Sequence, residues 1–248
     1  MFLFEDVDKI YENEYALHDI QLKIPDGEHV AVIGPSGAGK TTLLHLMAGM
    51  FEPDRGIVSI DGRPLSSLKN GRDRSRLVGI MHQQFDLVEE LPVIHNVLAG
   101  QLGRWTFLQS LRSLLIPRDQ ERVNQALERV GIPDKIYDKT AHLSGGEQQR
   151  VALARLLVQD PQNFLADEPV ASVDPARARN LLEMLQSIAT ENNRTLVVSL
   201  HSVHYALEYF PRIVGLRGGQ IQVDQSSDQI NENDLEQLYQ LTDQAHAD

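Results

Sequence analysis

The hydrophobic and polar positions of this chain divide it into an early run of strands and a later alternation of helices and strands. Alternating apolar and polar residues predict strands at residues 2–7 and 16–24, with a polar turn between them. A continuous apolar run at residues 29–33 is typical of a strand that is buried on both faces of a parallel sheet. Further strands are predicted at residues 56–62 and 77–82, so the early part of the chain is mainly β.

The apolar period becomes helical between residues 93 and 130, with breaks near Gly103 and Pro117. After this block, helices are predicted at residues 146–158, 175–189, 203–209 and 234–241, and strands at residues 162–167, 195–200 and 212–216. Alternation of this kind indicates a parallel sheet flanked by helices. We therefore predict the α/β fold class, with antiparallel strands before a parallel-sheet core and a helical insert, about residues 84–155, that forms its own lobe.

Composition changes this picture mainly by exclusion. The chain has 248 residues and no cysteine, which excludes a disulfide framework and a cysteine-based metal site. Its formal net charge of -12 argues against nucleic-acid binding by bulk electrostatics, so we expect no nucleic-acid partner. No apolar stretch of the sequence is long enough to cross a bilayer, and the start lacks the basic region of a signal peptide. A role at a membrane would therefore be that of a peripheral subunit.

The charge is unevenly distributed along the chain. No Lys or Arg follows Arg217, whereas the same stretch is rich in acidic residues. Between Glu90 and Asp119 the balance is reversed, because no acid lies there. The arginines of that stretch are Arg104, Arg112 and Arg118. A solvated tail and chance clustering are favoured over the alternative, a basic surface that faces a partner or anionic lipid.

The first candidate for chemistry is the segment GPSGAGKT, which follows the predicted buried strand and precedes a helix predicted from Thr41 to Ala48. Gly37 and Gly39 let backbone N–H groups converge on an anion, and the helix start adds the positive end of its dipole. In such a phosphate loop Lys40 reaches the β- and γ-phosphates of a nucleotide, and the Thr41 hydroxyl coordinates Mg²⁺. The predicted nucleotide contacts of this loop are Gly34, Pro35, Ser36, Gly37, Ala38, Gly39, Lys40, Thr41 and Thr42.

Two further segments carry polar groups at the ends of predicted elements. Asp167 and Glu168 are adjacent acids that end the apolar strand predicted at residues 162–167, and such a pair is costly to bury without a cation. The segment LSGGEQQR places Ser144 and two glycines before a predicted helix, and a helix N-terminus behind a Gly pair is another anion site. Ser144 and Glu147 also form the pattern of a capping box, and the two roles do not exclude each other.

The phosphate loop followed by LSGGEQQR resembles the ATP-binding cassette (ABC) family. The resemblance covers residues 2–223 and implies an ABC-type P-loop NTPase with a RecA-like parallel-sheet core, an N-terminal antiparallel β-subdomain and a helical subdomain insert. It predicts an ABC ATPase domain at residues 1–223 and an acidic C-terminal extension at residues 224–248. It also implies ATP and Mg²⁺ as cofactors, and a second copy of the chain as the partner that completes each ATP site.

The resemblance assigns roles to the candidate residues. Asp167 is similar to the Walker B aspartate, which holds Mg²⁺ through water, and Glu168 to the catalytic carboxylate, which polarises the attacking water. The residues that resemble the signature segment, which closes over ATP held by the other copy, are Ser144, Gly145 and Gly146. The catalytic residues that the resemblance implies are Glu168, His201 and Lys40.

Two sensor residues each have a competitor nearby. Gln83 resembles the Q-loop glutamine, which contacts Mg²⁺ and senses the γ-phosphate, and the adjacent Gln84 is the alternative. His201 ends the strand predicted at residues 195–200 and resembles the switch histidine that contacts the γ-phosphate. His204 is the alternative, although it falls inside the next predicted helix. The metal contacts implied are Thr41, Gln83 and Asp167.

Two outer contacts complete the resemblance. Tyr11 resembles the aromatic residue that stacks on adenine, and its spacing from the strand at residues 16–24 favours it over Tyr15. Asp174 resembles the D-loop aspartate that crosses the dimer interface, with Val173 in place of the commoner leucine. Both residues would act from outside the phosphate loop.

Four segments are similar to the phosphonate/phosphite importer branch of the family. They are GIMHQQFDLV at residues 79–88 and NVLAGQLGRW at residues 96–105, around and after the Q-loop, and ADEPVASVDP at residues 166–175 and VVSLH at residues 197–201. We therefore expect an ATP-hydrolysing subunit at the cytoplasmic face of the inner membrane, bound to integral membrane permease subunits and served indirectly by a solute-binding receptor. The first alternative is the ATPase of a transporter for another solute, including an exporter. The second is a non-transport ABC clamp protein, which the single cassette and the lack of cysteine disfavour.

Overall fold

The computed structural model describes residues 1–68, 71–106, 109, 111, 119–171 and 173–239. Its strands are β1 (Phe2–Tyr11), β2 (Glu14–Ile24), β3 (His29–Ile33), β4 (Arg55–Ile60), β5 (Arg63–Pro64), β6 (Val78–Met81), β7 (Asn163–Asp167), β8 (Thr195–Leu200), β9 (Arg212–Arg217) and β10 (Gln220–Ser226). Its helices are α1 (Lys40–Met47), α2 (Gly71–Leu77), α3 (Val93–Leu98), α4 (Gln120–Arg129), α5 (Gly145–Gln159), α6 (Pro175–Glu191), α7 (Val203–Tyr209) and α8 (Glu232–Tyr239). Within these described ranges, no helix is both long and apolar enough to cross a membrane.

The strands form two sheets. A four-stranded antiparallel sheet has the order β2-β1-β4-β5, and a six-stranded sheet has the order β10-β9-β3-β8-β7-β6. In the larger sheet β9, β3, β8, β7 and β6 run parallel, and β10 pairs antiparallel with β9 at one edge. The connecting helices make this an α/β fold with a separate antiparallel sheet, which confirms the predicted fold class.

Strand β3 lies between two hydrophobic cores, which explains its continuous apolar sequence. Val30 and Val32 pack with the antiparallel sheet and α1, whereas Ala31 and Ile33 pack with the helices on the opposite face. Because successive side chains of a strand point to opposite faces, a strand covered on both faces favours apolar residues at every position. The phosphate loop follows this rigid central strand directly.

The helices of the predicted insert pack together. Both α3 and α4 contact α5, and Val97, Leu127 and Val151 share one core. Of the two predicted helix breaks, the one near Gly103 lies after α3 and a short 3-10 turn, and Pro117 lies outside the described residues. The insert therefore supplies α5, whose start carries the LSGGEQQR segment.

The first hairpin is longer than predicted. Strand β1 extends to Tyr11 and β2 begins at Glu14, rather than ending at residue 7 and starting at residue 16. The turn residues Glu12 and Asn13 have φ values of 49° and 71°. Positive φ at both central residues is what a two-residue hairpin turn requires, so the ladder continues to the turn itself.

Helix α2 and strand β10 were not predicted from the sequence. Helix α2 has no buried residue among those described, so it has no apolar stripe to detect. Strand β10 is rich in Gln, Asp and Ser and none of its residues is fully buried. Its backbone pairs with the edge of β9, and Ile221 packs against the adjoining hydrophobic core.

The described part of the acidic C-terminus packs on the core. Leu238 of α8 is 1% exposed and lies against Gly215 of β9. A Cβ placed on Gly215 would be 3.1 Å from Cδ2 of Leu238. The predicted boundary at residue 223 falls inside β10. The end of the predicted helix at residues 234–241 lies partly outside the described residues.

Candidate functional site

The phosphate loop connects β3 to α1 and depends on its glycines at two close backbone approaches. Gly34 has φ 147°, and a Cβ there would lie 2.1 Å from the carbonyl oxygen of Leu216. Gly39 has φ 101°, and a Cβ there would lie 2.5 Å from the carbonyl oxygen of Ala16. Any side chain at either position would displace backbone, so the loop shape requires glycine there.

Lys40 is the first residue of α1 and its side chain is buried. Its Nζ donates hydrogen bonds to the carbonyl oxygens of Gly34 at 2.9 Å and Pro35 at 3.1 Å, and lies 3.8 Å from Oε1 of Glu168. Burial lowers the pKa of Lys40, while the carboxylates of Glu168 and Asp167 act in the opposite direction. The ammonium group is therefore partly desolvated and close to two acids.

Asp167 ends β7 beside the start of α1, as the sequence predicts. Its Oδ1 accepts a hydrogen bond from the Ser199 hydroxyl at 2.6 Å and one from the Thr41 hydroxyl at 3.3 Å. The first contact follows from the parallel pairing of β7 with β8, which places Asp167 opposite Ser199. Thus three separate segments meet at one buried carboxylate.

Glu168 follows immediately and its carboxylate lies between two cationic or proton-carrying groups. Its Oε1 is 2.6 Å from Nε2 of His201 and 3.8 Å from Nζ of Lys40. The backbone turns sharply at this residue, with φ 47°, and its N–H donates to the Ser199 hydroxyl at 2.8 Å. The predicted catalytic residues Glu168, His201 and Lys40 therefore lie together.

Ser199 was not predicted, yet its hydroxyl contacts both acids. It donates to Asp167 and accepts from the backbone of Glu168, and it is 0% exposed. The available signal was a serine near the end of the strand TLVVSL, after three apolar residues. Its contact with Asp167 could not be inferred, because the register between β7 and β8 cannot be predicted from the sequence of either strand alone.

A cavity of about 370 Å³ adjoins these groups. Its lining residues are Gln83, Glu168, Val170, Ala171, Leu200, His201, Ser202 and Tyr205. The geometry favours Gln83 over Gln84, which is not among the lining residues. It also favours His201 over His204, since Nε2 of His204 is 3.2 Å from Glu208 on the exposed face of α7.

The loop that carries Gln83 is tied to α5 by a partly buried arginine that was not predicted. Arg155 donates to the carbonyl oxygens of Asp86 at 2.7 Å and Phe85 at 2.6 Å. Burial lowers the pKa of this guanidinium, and the nearby Asp86 opposes the shift. Because Phe85 and Asp86 both have positive φ, the arginine stabilises a loop shape that side chains rarely adopt. The LSGGEQQR helix and the Gln83 loop are therefore coupled.

The start of α5 contains the predicted capping box. The Ser144 hydroxyl accepts from the N–H of Glu147 at 3.4 Å, and Oε2 of Glu147 accepts from the N–H of Ser144 at 2.8 Å. The hydrogen bond from this N–H is the main reason that the pKa of Glu147 is lowered. A cavity of about 260 Å³ lies here. It is lined by Ser144, Gly146, Glu147, Gln149, Arg150, Arg177, Asn180, Leu181 and Met184, with no phosphate-loop residue among them.

The two outer candidates lie away from the acids. Asp174 caps α6 by accepting from the N–H of Arg177 at 3.0 Å, and Ser172 of the same loop lies outside the described residues. Tyr11, at the end of β1, is 43% exposed and its ring lies edge-on to that of Phe51. Tyr15 is also exposed, so an accessible aromatic face exists at both positions.

The oxygen donors near the phosphate loop fit Mg²⁺. No cluster of three or more His, Cys, Asp or Glu suited to a metal occurs in the described part of the chain. The hydroxyl of Thr41 and the buried carboxylate of Asp167 are 3.3 Å apart, and both are the hard oxygen ligands that Mg²⁺ prefers. A site with so few protein ligands suits this ion, which usually keeps several waters and binds substrate phosphates.

Comparisons with known proteins agree with this arrangement. Residues 17–171 match the family model described as ABC transporter. Relatives include "Phosphonates import ATP-binding protein PhnC 1" of Pseudomonas savastanoi pv. phaseolicola, 44% identical over 90% of this chain and 85% of the relative. "Phosphonates import ATP-binding protein PhnC" of Lactobacillus gasseri is 39% identical over 96% of this chain and 93% of the relative.

Solved structures resemble the fold throughout. The "Dimeric Structure of MJ0796, a Bacterial ABC Transporter Cassette" matches with a TM-score of 0.81 and 28% identity, covering 92% of this chain and 99% of that one. A second structure of that cassette, in a post-hydrolysis state bound to ADP and Pi, matches with a TM-score of 0.78 and 29% identity, over 92% of this chain and 99% of that one. On the family model and on relatives that are similar over most of both chains, this chain belongs to the ABC transporter family.

Proposed function

We propose that this chain is the ATP-hydrolysing subunit of an ABC importer for phosphonates or related phosphorus oxyanions such as phosphite. The observation that carries the ATPase assignment is the position of the Glu168 carboxylate, 2.6 Å from His201 and 3.8 Å from Lys40, directly after Asp167. The cargo is supported by the relatives, whose names state phosphonate import. It is also supported by the sequence around Gln83, in the region where such ATPases contact their membrane partner.

Nucleotide binding is assigned to the phosphate loop and α1. Backbone N–H groups of the loop and the start of α1 favour an anion, and the partly desolvated ammonium of Lys40 adds a full positive charge. Lys40 exchanges its carbonyl acceptors, Gly34 and Pro35, for phosphate oxygens. Tyr11 stacks on the adenine ring. Thr41, Gln83 and Asp167 hold Mg²⁺, which supplies charge neutralisation at the phosphates when it is bound.

Hydrolysis is a phosphoryl transfer to water, which requires positioning more than covalent chemistry. Glu168 accepts a hydrogen bond from the attacking water and directs its lone pair toward the γ-phosphorus. His201 contacts the same carboxylate through Nε2 and keeps Glu168 oriented. When ATP is bound, the imidazole would donate to a γ-phosphate oxygen instead. Ser199 holds the backbone of Glu168 in place.

Two copies of the chain form the complete ATP sites. The cavity at Ser144 and Gly146 has no phosphate-loop residue in its lining. A nucleotide that contacts both the phosphate loop and the LSGGEQQR segment therefore takes the phosphate loop from one copy and the LSGGEQQR segment from the other. A two-fold dimer places both segments at each of two sites. Asp174, at the start of α6 near this cavity, faces the partner. ATP binds this closed dimer better than the open one, and hydrolysis reopens it.

Closure and reopening move the permease subunits, which carry the solute across the membrane. The chain binds these subunits peripherally at the cytoplasmic face of the inner membrane, and a solute-binding receptor acts on the opposite side. The ATPase does not touch the solute, so the cargo is identified through the partners.

The ATPase assignment is tested with Glu168→Gln. We expect this variant to bind ATP, to accumulate as an ATP-bound dimer in sedimentation velocity, and to lose about 100-fold or more of its turnover, because the amide cannot accept a proton. The matched control is Glu128→Gln on the exposed side of α4, which is expected to keep the parental rate. Turnover of Glu168→Gln within threefold of the parent would contradict the role of Glu168.

The cargo assignment is tested by isolating the intact complex from native membranes in mild detergent. Mass spectrometry is expected to identify a multi-span permease and a solute-binding receptor, and calorimetry to show that the receptor binds a phosphonate or phosphite in preference to sulfate or amino acids. A permease without a receptor would favour an exporter. Isolation without any membrane protein would favour the clamp alternative.

A further inference from the structure

Arg177 lies across the signature glycines. A Cβ placed on Gly146 would be 3.4 Å from Nη1 and 3.5 Å from Cδ of Arg177, so the arginine stem runs over this glycine at van der Waals distance. The side chain is 63% exposed. Arg177 therefore forms part of the surface that the start of α5 presents to solvent.

The conformation of Arg177 is set by Asp174, the cap of the same helix. Nε of Arg177 is 3.1 Å from Oδ2 of Asp174, and the N–H of Arg177 donates to Oδ1 at 3.0 Å. This pairing engages the inner nitrogen of the guanidinium. Among the described residues, neither terminal nitrogen of Arg177 has an acceptor. Nη1, next to Gly146, can thus donate to an incoming group.

The other charged groups of this cavity already have partners. Arg150 donates to the carbonyl oxygen of Val130 and to Oδ1 of Asn180. The carboxylate of Glu147 accepts from Ser144 and lies 3.7 Å from Nζ of Lys135. Arg177 is therefore the cation of the cavity lining whose terminal nitrogens are available to a ligand.

We propose that Arg177 contacts the nucleotide bound by the other copy, donating hydrogen bonds to its phosphate chain. The inference rests on the proposed two-fold dimer, in which Ser144 and Gly146 face that nucleotide. A guanidinium suits this position because its planar fork donates to phosphate oxygens in pairs. It also offsets the repulsion between two chains that each carry a formal net charge of -12. Asp174 is then a positioning residue for Arg177 as well as a dimer contact.

The test uses the Glu168→Gln background, in which ATP-bound dimers accumulate. Sedimentation velocity measures the fraction of dimer against Mg·ATP concentration at fixed chain concentration. We expect Arg177→Ala to raise the ATP concentration for half-dimerisation about tenfold or more, the size of a lost charge-assisted hydrogen bond. Because Arg177 acts on the other copy, ATP affinity of the monomer, measured at low chain concentration by fluorescence of a labelled nucleotide, is expected to stay within twofold.

Two further variants separate this role from others. Arg179→Ala, two residues along α6, removes a side chain that pairs with Glu208 instead and is expected to dimerise like the background. Arg177→Lys keeps the charge near Asp174 but lacks the paired donors of a guanidinium, so it is expected to recover only part of the loss. Half-dimerisation of Arg177→Ala within threefold of the background, or an equal loss of monomer affinity, would overturn the inference. If the Glu168→Gln background itself shows no ATP-dependent dimer, the proposed dimer fails and this inference fails with it.

Discussion

At the scale of single residues, the candidate site is organised around the buried carboxylate of Asp167, which has few hydrogen-bond donors. Asp167 is 5% exposed and receives its hydrogen bonds from hydroxyl groups, Ser199 and Thr41. These donors are neutral hydroxyls, and the cation that interacts with the carboxylate is Lys40. This carboxylate suits a divalent ion, and the single hydroxyl of Ser199 is important for holding both acids in place.

Ser199→Ala is expected to reduce turnover about tenfold or more and to destabilise the fold by about 1–3 kcal/mol. Removal of the hydroxyl leaves the N–H of Glu168 without its acceptor and Asp167 without its shortest donor. Steady-state ATP hydrolysis and urea unfolding measure the two effects. The control is Ser187→Ala, whose hydroxyl donates to the exposed Glu191. An unchanged turnover number for Ser199→Ala would show that the strand pairing alone positions the acids.

At the scale of elements, segments that are distant along the chain are joined by single polar side chains. Arg155 of α5 holds the Gln83 loop through two carbonyl oxygens. In the antiparallel sheet, Asp8 of β1 plays a similar part. Its Oδ1 accepts from the N–H of Asp19 at 2.7 Å, at a point where β2 has a positive φ. Such contacts stabilise backbone shapes that strand pairing by itself does not.

The hairpin contact has a pH signature. The hydrogen bond from Asp19 is the main cause that lowers the pKa of Asp8, which burial opposes and His18 and Arg55 reinforce. Because the pKa of Asp8 is lower in the folded state, its contribution to stability is fully present above the pKa of the unfolded state, about 3.9. The contribution is lost as the pH falls through the pKa of the folded state. Asp8→Asn is therefore expected to lower the melting temperature near pH 7, with the difference from the parent shrinking below about pH 4.

Thermal unfolding monitored by circular dichroism across this range measures the difference. Glu14→Gln, an exposed change in the same hairpin, serves as the control and is expected to change little at any pH. A deficit of Asp8→Asn that stays constant down to pH 2 would mean that packing, and not the carboxylate charge, is responsible.

At the scale of the whole molecule, the parallel sheet connects the two polar cavities and the C-terminal elements. The cavity beside Glu168 and the cavity beside Ser144 share no lining residue, so they are separate on one chain. The final strand and helix close the opposite edge of the sheet. Arg212 of β9 pairs with Asp224 of β10 at 2.7 Å and 2.8 Å, and Leu238 is buried. These contacts lie beyond residue 223, the predicted domain boundary.

A chain that ends at residue 223 is expected to melt about 5 °C or more below one that ends at residue 239. The shorter chain loses the burial of Leu238, which contributes about 1.5–3 kcal/mol, and the second half of the β10 ladder. In a chain of this size each kcal/mol shifts the melting temperature by about 2–4 °C. Calorimetry of both chains measures the shift. Equal melting temperatures would support the boundary at residue 223.

The motifs and the buried strands could be predicted because their signals are local. The apolar run of β3, the glycines around Lys40 and the adjacent acids at the end of β7 each lie within a few residues, and local order dictates local geometry. The ABC family, the α/β class and the grouping of Lys40, Asp167 and Glu168 follow from such segments. The phosphate loop sits where it was expected because the carboxyl ends of parallel strands share one edge of the sheet.

What only the tertiary structure decided depends on register between segments far apart in the chain. The sequence shows that Ser199, Arg155 and Arg177 are present, but not that they reach Asp167, the Gln83 loop and Gly146. The pairing of β10 with the edge of β9 is likewise a property of the assembled sheet. Sequence patterns record which faces are buried. The pairing of polar groups is decided only when the cores pack and bring their segments within hydrogen-bond distance.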